Sequence, residues 1–170
     1  MVFCGVPGSG KTTIAALVAA EMTSAVHIQT DAIRFMIPAP KYSHDESRFV
    51  YDSMFLVGRQ ALKAGYDAIL DGTFLKDEYR SQAEKKLSRY CSAYFVVGVL
   101  CDTEVARSRN EQRSANVPVQ SFNRLAAMFE RPKDAIIVHS DKRTPESAAR
   151  YILRKIGARS GPASESTSLA

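Results

Sequence analysis

Cysteine is scarce in this chain. Cys4, Cys91 and Cys101 are the only three, an odd number, and neither a Cys-x-x-Cys pair nor a Cys/His cluster occurs. That spacing argues against a zinc site. All three lie in or beside apolar, strand-like runs, the setting of small buried residues in a reducing cytoplasm. Long apolar runs are missing as well. The longest, Ala93 to Cys101, is about half of what a membrane span needs. No basic leader or transit helix stands before the first apolar strand, so the expectation is a cytoplasmic protein with no membrane contact. There is no Asn-Lys-x-Asp segment to read a guanine base, no internal repeat, and no motif of the common RNA-binding modules. Charge of one sign is only modestly in excess, at +5.

What is present is an ordinary globular pattern of 170 residues, 45% apolar and 24% charged, a length that suits one domain. Met1 to Cys4 reads as a short buried strand and Lys11 to Met22 as a helix, with Ile14, Leu17, Val18 and Met22 on one face. Ala25 to Gln29 is a second strand, and Ala32 to Ile37 a helical turn stopped by Pro38 and Pro40. A long helix over His44 to Ala64 ends at Gly65; Tyr66 to Asp71 is a third strand, and Lys76 to Arg89 a polar helix. Ala93 to Leu100 is nearly continuous apolar, as in a strand covered on both faces. Asp102 is placed to cap a helix over Thr103 to Arg113, and Ser121 one over Phe122 to Glu130. Ala135 to His139 is a fifth strand; Pro145 opens a last helix that Gly157 ends. The expectation is one domain over residues 1–157 and a disordered Ser/Gly/Ala/Pro-rich tail over 158–170. Five strands alternating with helices predict an α/β fold: a five-stranded parallel sheet with helices on both faces.

One segment carries chemistry outright. Gly5-Val6-Pro7-Gly8-Ser9-Gly10-Lys11-Thr12 fits Gly-x-x-x-x-Gly-Lys-Thr and lies between the first strand and the first helix. Glycines let the backbone close around phosphates, and successive amides then point inward as an anion nest. The helix start adds its positive end. Pro7, Gly8, Ser9, Gly10, Lys11, Thr12 and Thr13 are thus the candidates for holding ATP, with Lys11 on the β and γ phosphates and the Thr12 hydroxyl on Mg²⁺. The net positive charge suits ATP and gives weak support to a nucleic-acid partner.

Three further features bear on what is done with the nucleotide. Asp31, with Arg34 three residues on, follows the second strand at the sheet edge where ligands of such folds bind. It is either a general base for an acceptor hydroxyl or a cap for its helical turn. Asp71 ends the third strand and is either a magnesium ligand or a turn acid before Gly72. Arg109 and Arg113, four apart on the predicted helix and close to Arg107, are either a clamp on the transferring phosphoryl group or a solvated basic face. His27, His44 and His139 have no spacing that suggests a role.

With these residues in view, residues 1 to 157 resemble the small P-loop kinases that include polynucleotide 5′-hydroxyl kinases and zeta-toxin-like kinases. The resemblance rests on the phosphate loop, on Asp31-Ala-Ile-Arg34 after the second strand, on Arg109-Asn-Glu-Gln-Arg113 as a lid pair, and on Phe129-Glu130-Arg131-Pro132 before the last strand. It implies a three-layer P-loop NTPase fold, Asp31 as general base, Arg34 on the acceptor or the reacting phosphate, and Ser140 to Arg143 near the adenine. The third-strand motif is Asp71-Gly72-Thr73-Phe74 where the family often has Asp-Ala-Thr-Asn. The expected activity is transfer of the γ-phosphate of ATP to a hydroxyl. The acceptor is a small or nucleoside-like molecule, or alternatively the 5′ end of RNA or DNA; a non-kinase NTPase is the remaining reading.

Overall fold

The structure is a computed structural model, and residues 1–113 and 116–160 are described, side chains only as far as 157. Its centre is a five-stranded sheet in the order β2-β3-β1-β4-β5, with β1 (Val2–Cys4), β2 (Ala25–Gln29), β3 (Asp67–Asp71), β4 (Val96–Leu100) and β5 (Ile136–His139). All pairings are parallel, with Phe3 beside Asp71 and Val97, and Gln29 beside Asp71. Among the described residues seven α-helices connect and cover the strands: α1 (Lys11–Glu21), α2 (Thr30–Arg34), α3 (His44–Lys63), α4 (Asp77–Leu87), α5 (Thr103–Glu111), α6 (Val119–Ala127) and α7 (Pro145–Ser160).

The period-two alternation of strand side chains divides the core into two layers. Phe3, Ile69, Val97, Val99, Ile136 and Val138 pack on one face against Ile14 and Val18 of α1 and Ala148 and Ile152 of α7. Val2, Cys4, Ile28, Ala68 and Leu70 pack on the other against Met54 and Phe55 of α3 and Ala83 and Leu87 of α4. Each such side chain taken fully from water contributes about 1.5–3 kcal/mol. Because all strands run the same way, β1, β2 and β3 deliver Gly5, Thr30 and Gly72 to one edge of the sheet.

Several boundaries differ from those the sequence suggests, each for a local reason. The turn after β2 is helical from Thr30, so Asp31 sits inside the first turn of α2. Ser43 caps α3 by accepting the Glu46 N–H at 3.2 Å. Asp102 caps α5 as expected, accepting the Glu104 and Val105 amides at 2.9 and 3.3 Å. That helix stops at Glu111, however, and leaves Arg113 beyond its end. Ser121 is not a cap: α6 begins at Val119 behind Pro118, and Ser121 lies within it. Gly157 does not end α7, which runs on to Ser160. Gly within a helix costs about 1 kcal/mol, which burial of Ala148, Ala149 and Ile152 against the core exceeds. Residues 161–170 of the expected tail lie outside the described residues.

Candidate active site

The phosphate loop is built from conformations that only glycine adopts cheaply. Gly8 has φ +74°, and a Cβ there would lie 2.0 Å from the Ala106 carbonyl oxygen of α5. The loop therefore carries α5 directly on its backbone. Gly5 has φ +152°, and a Cβ there would meet the Val99 carbonyl at 2.4 Å. Gly10, at φ +83°, is the N-cap of α1 and offers no capping side chain; the first turn of α1 holds no acid. The positive helix end is consequently left for an external anion. Ser9 is fully buried and its Oγ has no partner. An orphaned buried hydroxyl inside a glycine cradle fits a bound polyphosphate.

Lys11 is buried and donates across the loop from Nζ to the Val6 carbonyl at 2.9 Å. Burial lowers its pKa from the ordinary lysine value; the charges of Asp71 and then Asp31 oppose that shift, and Arg113 adds to it. Those four groups therefore share one field at the loop. Asp31 is half exposed and lies 3.6 Å from the Arg113 guanidinium. Asp71 is almost wholly buried, and Thr30 Oγ1 donates to its backbone carbonyl at 3.4 Å.

The Asp71 carboxylate has one partner that the sequence did not single out. His27 Nε2 lies 3.3 Å from Asp71 Oδ2, and Gln29 Nε2 lies 3.4 Å from His27 Nδ1. An amide nitrogen only donates, so Nδ1 accepts and the ring proton sits on Nε2, facing the carboxylate. His27 thus orients Asp71. Parallel pairing of β2 on β3, with His27 beside Ile69 and Gln29 beside Asp71, creates this chain; no spacing along the sequence shows it.

The segment after β3 is pinned to the loop. The Gly5 N–H donates to the Thr73 carbonyl at 3.1 Å. The Tyr51 hydroxyl of α3 accepts the Phe74 N–H at 3.3 Å and lies 3.2 Å from Thr73 Oγ1. Phe74 has φ +38°, a region rare for bulky residues and better tolerated by Asn. Its ring is fully buried, edge-on to Tyr51 at 5.0 Å, which offsets the backbone cost. Arg80, also buried, donates to the carbonyls of Phe74 and Leu75. Glu130 caps α4 by accepting the Asp77 N–H at 2.8 Å, and Pro132 fills the space over Gly98. The Phe129–Pro132 segment is thereby a structural clamp.

The arginines part company. Arg113 reaches the Asp31 carboxylate. Arg109 donates to both the side chain and the carbonyl of Ser140, each at 3.2 Å, at the loop after β5 that borders Gly10. Arg107 binds Glu104 and Asn123, tying α5 to α6. Arg34 does not face the loop: it is buried, bonded to Glu46 and Ser47 and covered by the Tyr42 ring. Thr12 and Thr13 are exposed at the start of α1. Cys4 is buried, and burial pushes its thiol up to about 11.

For magnesium, the candidate oxygens are the Thr12 hydroxyl, exposed at the start of α1, and the Asp71 carboxylate, whose charge acts on Lys11. Among the described residues no group of three or more His, Cys, Asp and Glu side chains gathers as a protein cage. A thin protein donor set of this kind fits Mg²⁺ completed by phosphate and water. No helix of the described residues is long and apolar enough to cross a membrane.

A family profile described as an AAA domain matches residues 1–132, and the chain belongs to that family. Solved structures share the fold over nearly their whole length. A sugar kinase from a Janibacter species is 22% identical, with 92% of each chain covered and a TM-score of 0.73. The APS kinase of Mycobacterium tuberculosis, solved with AMPPNP and APS, is 18% identical over 92% of this chain and 96% of its own, at 0.74. Kti12 of Chaetomium thermophilum, solved with ADP-AlF3, is 20% identical over the same shares, at 0.74. No curated protein matches the sequence. The fold is that of the P-loop kinases.

Proposed function

We propose that the protein transfers the γ-phosphate of ATP to a hydroxyl of a small molecule. The observation that carries this reading is the gathering of Lys11, Asp31, Asp71 and Arg113 at one end of the phosphate loop. The loop amides and the start of α1 bind the β and γ phosphates, and Lys11 neutralises their oxygens. Thr12 and Asp71, the latter held by His27, would carry Mg²⁺, which when bound would offset the negative charge of the phosphates.

Asp31 orients the acceptor hydroxyl and takes its proton. The acceptor oxygen forms a bond to the γ-phosphorus, the bond to the β-bridging oxygen breaks, and ADP leaves. Arg113, one contact away from Asp31, stabilises charge on the transferring group. Arg109, held at Ser140, belongs with the nucleotide side and keeps α5 in place. The kinases among the structural neighbours support the reaction class, and two of the neighbouring structures hold ATP-like or ADP-based ligands.

The net charge of +5 favours a second acceptor, the 5′-hydroxyl of RNA or DNA. The test is incubation with γ-labelled ATP and Mg²⁺, in parallel with sugars and nucleosides and with 5′-hydroxyl oligonucleotides. Label in a small phosphoester supports the first acceptor; label at an oligonucleotide end supports the second. Label only in inorganic phosphate leaves neither.

A further inference from the structure

The geometry points to an acceptor that is uncharged and carries an apolar or aromatic ring beside its hydroxyl, seated on Phe35 next to Asp31. This rests on the kinase reading above and narrows its substrate.

The cation that would recognise an anionic acceptor is already used. Arg34 lies one helical turn from Asp31 yet is only 7% exposed. Its guanidinium is bonded to the Glu46 carboxylate, donates to Ser47 Oγ at 3.4 Å, and sits 4.6 Å from the centre of the Tyr42 ring. Glu46 is itself fixed, accepting the N–H groups of Lys41 and Tyr42 at 2.6 and 3.2 Å. Burial disfavours its charge, but the Lys41 amide, Arg34 and the Tyr42 amide together hold the carboxyl below its usual range. Tyr42 has φ +55°, a conformation that persists only where its surroundings hold it. The arrangement is therefore built. Moving Arg34 to an acceptor anion would leave Glu46 as a half-buried, unpaired charge.

What the acceptor side offers instead is apolar. The described residues include nine exposed large hydrophobic side chains, and three of them, Phe35, Met36 and Tyr42, fall within eight residues of one another in the segment that follows Asp31. The Phe35 N–H donates to the Asp31 carbonyl at 2.9 Å, so Phe35 stands one turn on, on the same face of α2. It is 58% exposed. Two other cations lie near Asp31 and both are engaged: Arg113 pairs with the Asp31 carboxylate at 3.6 Å, and Lys11 donates to the Val6 carbonyl in the loop at 2.9 Å. The remaining cation of the segment, Lys41, stands in solvent, where a single ion pair is worth little. An acid, an apolar shelf and no buried cation left unpaired for the acceptor select a neutral ring-bearing alcohol over a sugar acid, a phosphorylated alcohol or a polynucleotide end.

The experiment uses matched acceptors with γ-labelled ATP and Mg²⁺: uridine against uridine 3′-monophosphate, glucose against gluconate, and a small-molecule extract split by anion exchange into neutral and anionic fractions. Labelled product is expected from the neutral members and the neutral fraction. Phe35→Ala, at an exposed position that folding does not need, should raise KM for the neutral acceptor about ten-fold, the scale of one lost stacking contact, with kcat nearly unchanged and Phe35→Tyr restoring it. Glu46→Gln frees Arg34 and should shift preference toward the anionic member of each pair. Transfer only to anionic acceptors or to 5′-hydroxyl oligonucleotides, or a Phe35→Ala protein with unchanged KM, overturns the inference and leaves the kinase intact. ATP hydrolysis with no labelled acceptor from any fraction overturns the kinase reading and this inference with it.

Discussion

Replacing Gly8 with alanine isolates the contact between the phosphate loop and α5. Two costs apply, and Gly65→Ala separates them. Gly65 has φ +84° with nothing within 4 Å of where a methyl would stand, so its substitution suffers only left-handed backbone strain. That strain is about 1–2 kcal/mol, which lowers Tm by roughly 2–8 °C for a chain of this size. Gly8→Ala carries the same strain at φ +74° and in addition drives a methyl to 2.0 Å from the Ala106 carbonyl. Backbone cannot rotate away, so α5 must shift; overpacking of this kind costs about 1–3 kcal/mol more. The total, about 2–5 kcal/mol, is a large part of the 5–15 kcal/mol available to a domain. Because α5 positions Arg109 and leads into Arg113, the shift should also lower turnover, by as much as about 10²-fold for a misplacement of 1 Å. Thermal melts and ATP titrations of both variants provide the assay. A Gly8→Ala protein that melts with Gly65→Ala and keeps its ATP affinity and turnover would refute the close seating of α5 on the loop.

The remaining predictions concern individual groups. Arg113→Ala should cut turnover by roughly ten-fold or more at little cost in ATP affinity, the scale of a charge-assisted contact made in the transition state. Arg109→Ala should instead weaken ATP binding, because its partner is Ser140 rather than Asp31; equal effects of the two on kcat alone would refute the division. Asp71→Asn should raise the Mg²⁺ concentration for half-maximal rate, and His27→Asn should do the same to a smaller degree. For both, the gain in nucleotide affinity on adding Mg²⁺ over EDTA should shrink, and an unchanged gain would remove the pair from the metal site. Native protein at pH 8 should be alkylated at Cys91 and Cys101 but not at Cys4, whose thiolate fraction with a pKa of about 11 is on the order of one in a thousand. Equally fast modification of Cys4 would show that its strand opens.

Contiguous features were legible in the sequence. The phosphate loop declares itself because every group that builds it is local. Asp31 and Asp71 could be singled out as candidates because strand ends in a parallel sheet deliver the residues there to one edge. Asp102 was found because its capping chemistry reaches only two and three residues ahead. Features made by register or tertiary contact were not. The His27–Asp71 pair needs the alignment of β2 on β3, 44 residues apart in the chain. Arg34 follows Asp31 in a motif that suggests acceptor binding, yet Glu46 and Tyr42 claim it. The Ser43-x-x-Glu46 pattern, a capping-box signature, was the local signal that could have tied Glu46 to this corner. Ser121 looked like a cap because its type suits one; Pro118 starts the helix earlier. Arg113 was placed on a helix face by its spacing from Arg109, and the end of α5 at Glu111 frees it to turn toward Asp31.

The claim that this site moves phosphate to an alcohol turns on Asp31. Asn keeps the size of the side chain and much of its hydrogen bonding but cannot take a proton. With a confirmed acceptor, Asp31→Asn should leave ATP affinity nearly unchanged and reduce turnover by about 10²–10⁴-fold, the range of a lost general base. Paired titration and single-turnover transfer of labelled γ-phosphate measure both quantities on one preparation. Near-normal transfer by the Asn protein would contradict the account and leave Asp31 as no more than a residue in the first turn of α2.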